Sequence, residues 1–435
     1  MQAKQEAVLL DTLLTLCRER GWLKERGRQR TDSTHVEAAI RTLNRVECVG
    51  ETLRAALNSL SGVVPEWVQA WIPTQWHERY DQRVEDFRIP KEATKREAFL
   101  LQIGRDGWDL LQLLRQAHAP SWLVNLPAVE VLRQVWVQQY GRADETIFWR
   151  GNENIPPSSL LISSPYDPDA HMSIKRSTVW TGYKVHLTET CDEETPHLLI
   201  HVETTAATTQ DMEMTDVIHQ GLAAKQLLPT KHVADTGYVD GPHLVKSQRT
   251  YGIDLIGPVT VNASWQARRS PAFATDRFQI GWAAKMATCP QGKVSRKWTH
   301  CLEQGRGAVE SIRIQFGKQD CLACPCRSEC TTAPSNPRQL TIRPQDQYEA
   351  ILETRRRQTT QEFQEQYAMR AGIEGTISQG VRAFDLRHAR SIGHAKTHLQ
   401  HIITATAIDV VRLIATCMGI PRDGTRVSRF ASLAL

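Results

Sequence analysis

Three acidic residues stand where acids are uncommon. Asp32 lies inside Gln29-Arg30-Thr31-Asp32-Ser33-Thr34-His35-Val36, a run short enough for one strand. Asp235 closes Lys231-His232-Val233-Ala234-Asp235, just before the turn residues Thr236-Gly237, and Glu374 falls on a helical stretch. Burying an unpaired carboxylate is costly, and that cost falls away if the three face a common metal site. Carboxylate oxygens are hard ligands suited to Mg²⁺. Two such ions about 4 Å apart activate a water and stabilise a leaving oxygen on phosphorus. Singly, each acid has an ordinary explanation: a turn or cap at a strand end, or, for Glu374 beside Arg370, a surface i,i+4 pair. Only the combination points to chemistry.

Cysteines form the second candidate group. Cys321-x2-Cys324-x-Cys326-x3-Cys330 lies downstream of Cys289-Pro290-Gln291-Gly292 and Cys301. Tetrahedral Zn²⁺ takes four soft ligands, often from two knuckles. Cys289, Cys321, Cys324 and Cys330 are the preferred set for a structural Zn²⁺; Cys301 and Cys326 remain alternatives, as does an iron–sulfur cluster. Between 285 and 345 there are ten Lys/Arg against four acids, a balance suited to DNA phosphate or to a solvated basic face. Of the histidines His388, His394, His398 and His401, the last three share helical spacing and read as phosphate contacts or surface residues before metal ligands. Asp167 and Asp169 read as turn residues.

These groups need elements to carry them. Residues 3–20 have helical periodicity, as do 37–60. Residues 60–150 read as helical throughout and hold seven of the twelve tryptophans, which predicts a Trp-rich helical core. Residues 151–175, rich in Pro and Ser, read as a linker or long loop. Val179–Leu187 and His197–Thr204 are strand candidates, Asp211–Leu228 a helix, Lys231–Asp235 and Ile253–Ile256 further strands. That order predicts a mixed α/β sheet. Helical signal returns from Gln345 to Leu386 and from His394 to Met418. There it puts Tyr367, Arg370 and Glu374 on one helix face, at offsets of three and four.

Bulk properties bound the answer less tightly. The 435 residues suggest about two or three units. A net charge of +5 permits a polyanionic partner without requiring one. The most apolar stretch, Ile402–Ile420, carries Asp409 and Arg412 and reads as a buried or amphipathic helix, with no membrane association. The N-terminus lacks a secretory pattern, so a cytoplasmic location follows, in which ten cysteines would be reduced.

Thr31-Asp32-Ser33-Thr34-His35-Val36-Glu37-Ala38, Val233-Ala234-Asp235-Thr236-Gly237-Tyr238 and Tyr367-Ala368-Met369-Arg370-Ala371-Gly372-Ile373-Glu374-Gly375 together resemble the three signature blocks of the DDE transposases of bacterial insertion sequences. The last is similar to the tyrosine-x2-arginine-x3-glutamate motif of one large branch. The resemblance extends over Trp180-Thr181-Gly182-Tyr183-Lys184-Val185-His186 and the Cys-rich insert. It implies an RNase H-like α/β fold, a mixed sheet flanked by helices. The first aspartate would lie on the first strand, the second after the fourth, and the glutamate on a late helix.

Separations of 203 and 139 residues between the acids leave room for a helical and a Cys-rich insertion. The division expected is 1–44 for the N-terminal helix and first catalytic strand, and 45–175 for the helical insertion and linker. The catalytic core takes 176–279, the probable zinc insertion 280–344, and the completing helices 345–435. The implied activity is metal-dependent cleavage and strand transfer at insertion-sequence ends. Asp32, Asp235 and Glu374 would hold two Mg²⁺ (or Mn²⁺), and Tyr367 and Arg370 would position phosphate. Terminal-repeat and target DNA are the implied partners, and a homo-oligomer is compatible. The family motif often has a lysine seven residues after the glutamate; here that position is Val381, and Arg382 is the candidate substitute. Only 31 residues precede Asp32, where family members usually carry a DNA-binding region, so a shortened N-terminus is expected. Rival readings are an RNase H-like nuclease without strand transfer and an inactive DNA-binding remnant.

Overall fold

A computed structural model describes residues 5–144, 146–175, 177–269, 271–303 and 309–420. Its centre is a sheet of five main strands: β1 (Arg28–Glu37), β2 (Thr178–Thr190), β3 (Leu199–Ala206), β4 (Lys231–Ala234) and β5 (Asp254–Ile256). The order is β3-β2-β1-β4-β5. The first three strands are antiparallel, and β4 and β5 run parallel to β1. A short strand, His171–Lys175, pairs with the start of β2. The last six residues of β2 are all buried. Successive strand residues point to opposite faces, so the sheet is covered on both. This is the mixed α/β sheet that the order of sequence signals predicts, in the RNase H-like arrangement that the resemblance implies.

Helices α1 (Val8–Glu19), α2 (Met214–Ala224), α3 (Gly241–Tyr251), α4 (Gln345–Arg357), α5 (Gln361–Ala368), α6 (Ala371–Phe384) and α7 (His394–Cys417) surround the sheet. α6 packs on β1, α7 on β3, and α5 on β4 and β5. Leu10 and Leu14 of α1, Tyr183 and Leu187 of β2, Ile373 and Ile377 of α6, and Ile402 and Ile408 of α7 share one core. By length and composition α7 could cross a membrane. Here its polar residues are bound into the fold: Asp409 is fully buried and accepts the Leu199 N–H at 2.8 Å.

A second core belongs to the insertion, where Arg45–Val63, Ala93–Leu113 and Pro127–Gln139 are the main helices. Trp67, Trp76 and Trp136 are buried as expected, whereas Trp71 and Trp122 are exposed. At Gly107 an added Cβ would fall 2.0 Å from the Trp136 ring, so only glycine lets that indole lie flat on the neighbouring helix. A third core forms in the Cys-rich region. It lies around a three-stranded antiparallel sheet (Lys297–Glu303, Val309–Gln315, Gln339–Ile342) and contains Ile312, Ile314, Phe316 and Leu340.

Several expectations need correction. Helix does not begin at 37; strand β1 runs through Glu37, and helix starts at Arg45 behind an Asn44–Glu47 capping box. The 60–150 region is not helical throughout, since Tyr140–Ala143 and Thr146–Trp149 form a hairpin. Asp167 is a turn residue as expected, its carbonyl oxygen accepting the Ala170 N–H at 3.2 Å, but its side chain does more: fully buried, it accepts from Tyr183 Oη at 2.7 Å and from the Gly393 N–H at 3.2 Å. His401 is also buried, bonded through Nδ1 to Thr204 at 2.7 Å, and His394 Nε2 reaches the Thr204 carbonyl oxygen at 2.7 Å. They pin α7 to β3.

Candidate active site

β1 and β4 lie side by side in parallel, with Thr31 opposite Ala234 as the last pair of the ladder. The next residue on each strand is an aspartate, Asp32 on β1 and Asp235 just beyond β4. Residues in register on adjacent strands lie about 5 Å apart and point the same way, so the sheet puts these two acids next to each other. β1 continues past this point paired with β2 and, at Glu37, bridged to His388, while its ladder with β4 stops at Ala234. Asp235 also shapes its own turn, accepting the Gly237 N–H at 2.8 Å.

Asp32 is mostly buried. Burial first, then the negative charge of Asp235, push its carboxyl above the usual range, while the Ser33 N–H (2.8 Å) and Arg370 pull it back. Arg370 is the junction of the site. Its guanidinium donates to Asp32 Oδ2 at 2.8 Å and to Glu374 Oε1, and it lies 5.8 Å from the Tyr367 ring centroid. The charges of Asp32 and Asp235 both reach the Tyr367 hydroxyl, whose pKa is raised, by burial first.

The helix expected to carry Tyr367, Arg370 and Glu374 is two helices. α5 ends at Ala368 and α6 begins at Ala371, with Met369 and Arg370 keeping right-handed backbone angles between them. The 3₁₀-type bonds Arg370 N–H to Tyr367 O and Ile373 N–H to Arg370 O tighten the joint. The face survives the break, which is why the three side chains still meet. Arg382 is exposed near the end of α6.

Sequence reasoning missed two groups. Asp211, after β3, accepts from Ser33 Oγ at 3.1 Å and Lys184 Nζ at 3.2 Å, with Lys175 at 3.7 Å. An added Cβ on Gly237 would lie 3.0 Å from Asp235 and 3.3 Å from Asp211, so both acids border the same turn. Burial works against the Asp211 carboxylate, but Lys184, His186 and Lys175 outweigh it and hold its pKa below the usual range. Behind these acids, His186 Nδ1 and Tyr238 Oη are 2.6 Å apart. Burial lowers the His186 pKa to about 4, so the ring is neutral.

The second missed group is a buried ion network. Glu189 of β2, fully buried, takes Arg30 Nε at 2.7 Å, Arg412 Nη1 at 2.8 Å and the Thr376 hydroxyl at 2.6 Å. Arg30 also donates to the Met369 carbonyl oxygen at 2.6 Å. The network ties β1, β2, α6 and α7 together and fixes the joint that carries Arg370. Gly372 admits the Arg30 guanidinium, since a Cβ there would sit 2.0 Å from Nη1. No spacing rule marks Arg30, Glu189, Thr376 and Arg412 as partners, because they come from four distant segments.

In the Cys-rich region, Cys289, Cys321, Cys324 and Cys330 line one small pocket, with Lys293, Arg327 and Arg338; Cys301 and Cys326 do not. Gly292, at φ +75°, closes the turn after Cys289, and the Lys293 N–H donates to Cys289 Sγ at 3.3 Å. The Arg338 N–H donates to Cys321 Sγ at 3.5 Å. Burial, with the neighbouring thiols Cys321, Cys289 and Cys324 adding and Arg338 opposing, pushes the Cys330 thiol up to about 11. Among the described residues, no three His, Cys, Asp or Glu side chains are grouped so that they could hold a metal ion. That statement covers both the three acids and the four cysteines as they stand.

Residues 288–414 match the family model described as Transposase DDE domain. The matched stretch contains the four pocket cysteines, Tyr367, Arg370, Glu374 and Arg382, while Asp32 and Asp235 lie outside it. Over that stretch the chain is similar to DDE transposases, and the RNase H-like sheet agrees with the likeness. No curated protein matches it.

Proposed function

We propose that the chain is a DNA transposase that cuts strands at the ends of an insertion sequence and joins the freed 3′ ends to target DNA. Asp32, Asp235 and Glu374 are its metal-holding acids. The observation that carries this reading is the register of β1 and β4, which sets Asp32 beside Asp235, together with Arg370 linking Asp32 to Glu374.

The donor set fits divalent metal in kind. Asp32 and Asp235 are hard-oxygen donors; burial, and after it the like charge of Asp235, raise the Asp32 pKa, and a cation relieves both costs. The Glu374 carboxylate is held by Arg370 and would exchange that partner to join them. When bound there, Mg²⁺ or Mn²⁺ supplies activation of a water or a 3′-OH and stabilisation of the leaving oxygen. The protein's own part is positional. Arg370, exchanged from the acids, presents a planar guanidinium to a phosphate. Tyr367 offers a hydroxyl beside it, and Arg382 an exposed cation further along α6.

DNA is the partner, and a soluble protein is the expected form. A structural Zn²⁺ would take Cys289, Cys321, Cys324 and Cys330, four soft donors that line one pocket. The functional test is strand joining. Protein, Mg²⁺ and a precleaved DNA end should yield a product joined through its 3′-OH to target DNA. Cleavage without joining would leave a nuclease.

A further inference from the structure

The helical insertion holds a pocket of about 340 Å³ that the site described above does not use. It opens between helices Ala93–Leu113 and Pro127–Gln139 and the hairpin Tyr140–Trp149. Its lining includes Trp108, Trp136 and Tyr140 together with Arg115, Arg133, Arg142 and Arg150. Among the described residues, no acid lines it.

The two inner aromatics have their polar ends occupied. Trp136 Nε1 donates to the Gly104 carbonyl oxygen and Tyr140 Oη to that of Leu100, each at 2.9 Å. What they offer the pocket is ring surface. Trp108 is half-buried, with the Arg142 guanidinium 5.0 Å from its ring centroid. Arg133 pairs with Glu130. Arg142 and Arg150 donate through Nε only to the backbone carbonyls of Asp144 and Tyr140. Among the described residues, Arg115, Arg142 and Arg150 make no ion pair.

Flat aromatic faces beside uncompensated guanidiniums match a ligand that is itself a flat ring joined to an anion. We infer that this pocket takes one nucleotide, its base against Trp108 and its phosphates on Arg142 and its neighbours. A base stacked inside a duplex cannot enter, so the nucleotide is one turned out of the helix or already in a single strand. The volume is within the usual range for small-ligand pockets, which begins at about 300 Å³. As a site on DNA, the inference rests on the reading of the chain as a DNA enzyme; a free nucleotide would satisfy the same chemistry.

The test uses the full chain and three ligands: a labelled single strand, the duplex of the same sequence, and deoxyadenosine monophosphate. Trp108→Ala should weaken single-strand binding on the order of tenfold, the size of one lost base–aromatic stack, and leave duplex binding unchanged. Trp108→Phe should keep most of the affinity and shows that loss in the alanine variant is not misfolding. Arg142→Ala should weaken the single strand in the same sense. Equal single-strand affinity for wild type and Trp108→Ala, with duplex binding intact, overturns the pocket while sparing the functional reading. A wild type that binds neither DNA form, yet binds the monophosphate through Trp108, supports the pocket as a free-nucleotide site and sinks the DNA reading. Binding of none of the three overturns both.

Discussion

Arg370 is the residue whose loss should be most informative. It is held by Asp32 on one side and Glu374 on the other, which puts its guanidinium beside the paired aspartates. Arg370→Ala should lower Mg²⁺-dependent nicking by about 10²- to 10³-fold, the usual cost of removing one aimed donor from a charge-developing site. Nicking assays with matched enzyme concentrations measure this. A change of less than threefold would make Arg370 a mere tether of the two acids. At this scale the sequence was legible where local order sufficed. Asp32, Asp235, Tyr367, Arg370 and Glu374 could be named from their blocks. Asp211 could not, because it meets Ser33 and Lys184 only through strand pairing that no short window encodes.

The joint between α5 and α6 has to be held against the sheet, and Glu189 with Arg30 and Arg412 does so. Glu189→Gln leaves the buried Arg30 guanidinium and the partly buried one of Arg412 short of a countercharge and should destabilise the fold by about 3 kcal/mol, the low end for breaking a buried pair from one side. Thermal or denaturant unfolding reads this directly. The pH dependence has a definite sign. Burial works to raise the Glu189 pKa, but Arg412, Arg30 and the Thr376 hydroxyl outweigh it, so the folded-state pKa is depressed. Its contribution is therefore full above the ordinary carboxylate range and is lost as pH falls through the depressed value. Wild type should lose more stability on acidification than Glu189→Gln; parallel losses would place the acid sensitivity elsewhere. Strands β2 to β5 were readable from short apolar runs and turn residues, whereas β1, with Val36 as its single apolar residue, was read only as a run short enough for one strand. The α5–α6 break was not, since Tyr367-Ala368-Met369-Arg370-Ala371 contains no helix breaker and the kink is imposed by tertiary contacts such as Arg30 on the Met369 carbonyl. The hairpin after Gln139 was missed because its Trp and Tyr residues extend the aromatic pattern of the helices before it.

Among the described residues, the three larger cores lie at the central sheet, in the helices between β1 and β2 and in the Cys-rich unit, and a small fourth joins β4, β5 and α5. The long gaps between the acids leave room for the second and third, while what each does depends on side chains gathered in space. For the Cys-rich unit the expected outcome is about one Zn²⁺ per chain by elemental analysis, lost in Cys321→Ser, with a lowered melting temperature. Metal-free wild type, purified without chelator, would refute the site. If Asp235 serves chemistry at the end of β4, a paired assay shows it: gel-shift affinity and Mg²⁺-dependent nicking of DNA carrying the element's ends, for wild type and Asp235→Asn. Asparagine keeps the shape and one acceptor but removes the charge that holds a divalent cation. Nicking should fall by several powers of ten, while binding, which rests on Lys and Arg contacts to phosphate, stays the same or tightens slightly. Equal nicking by both proteins would contradict the account and leave Asp235 as no more than the cap of its own turn.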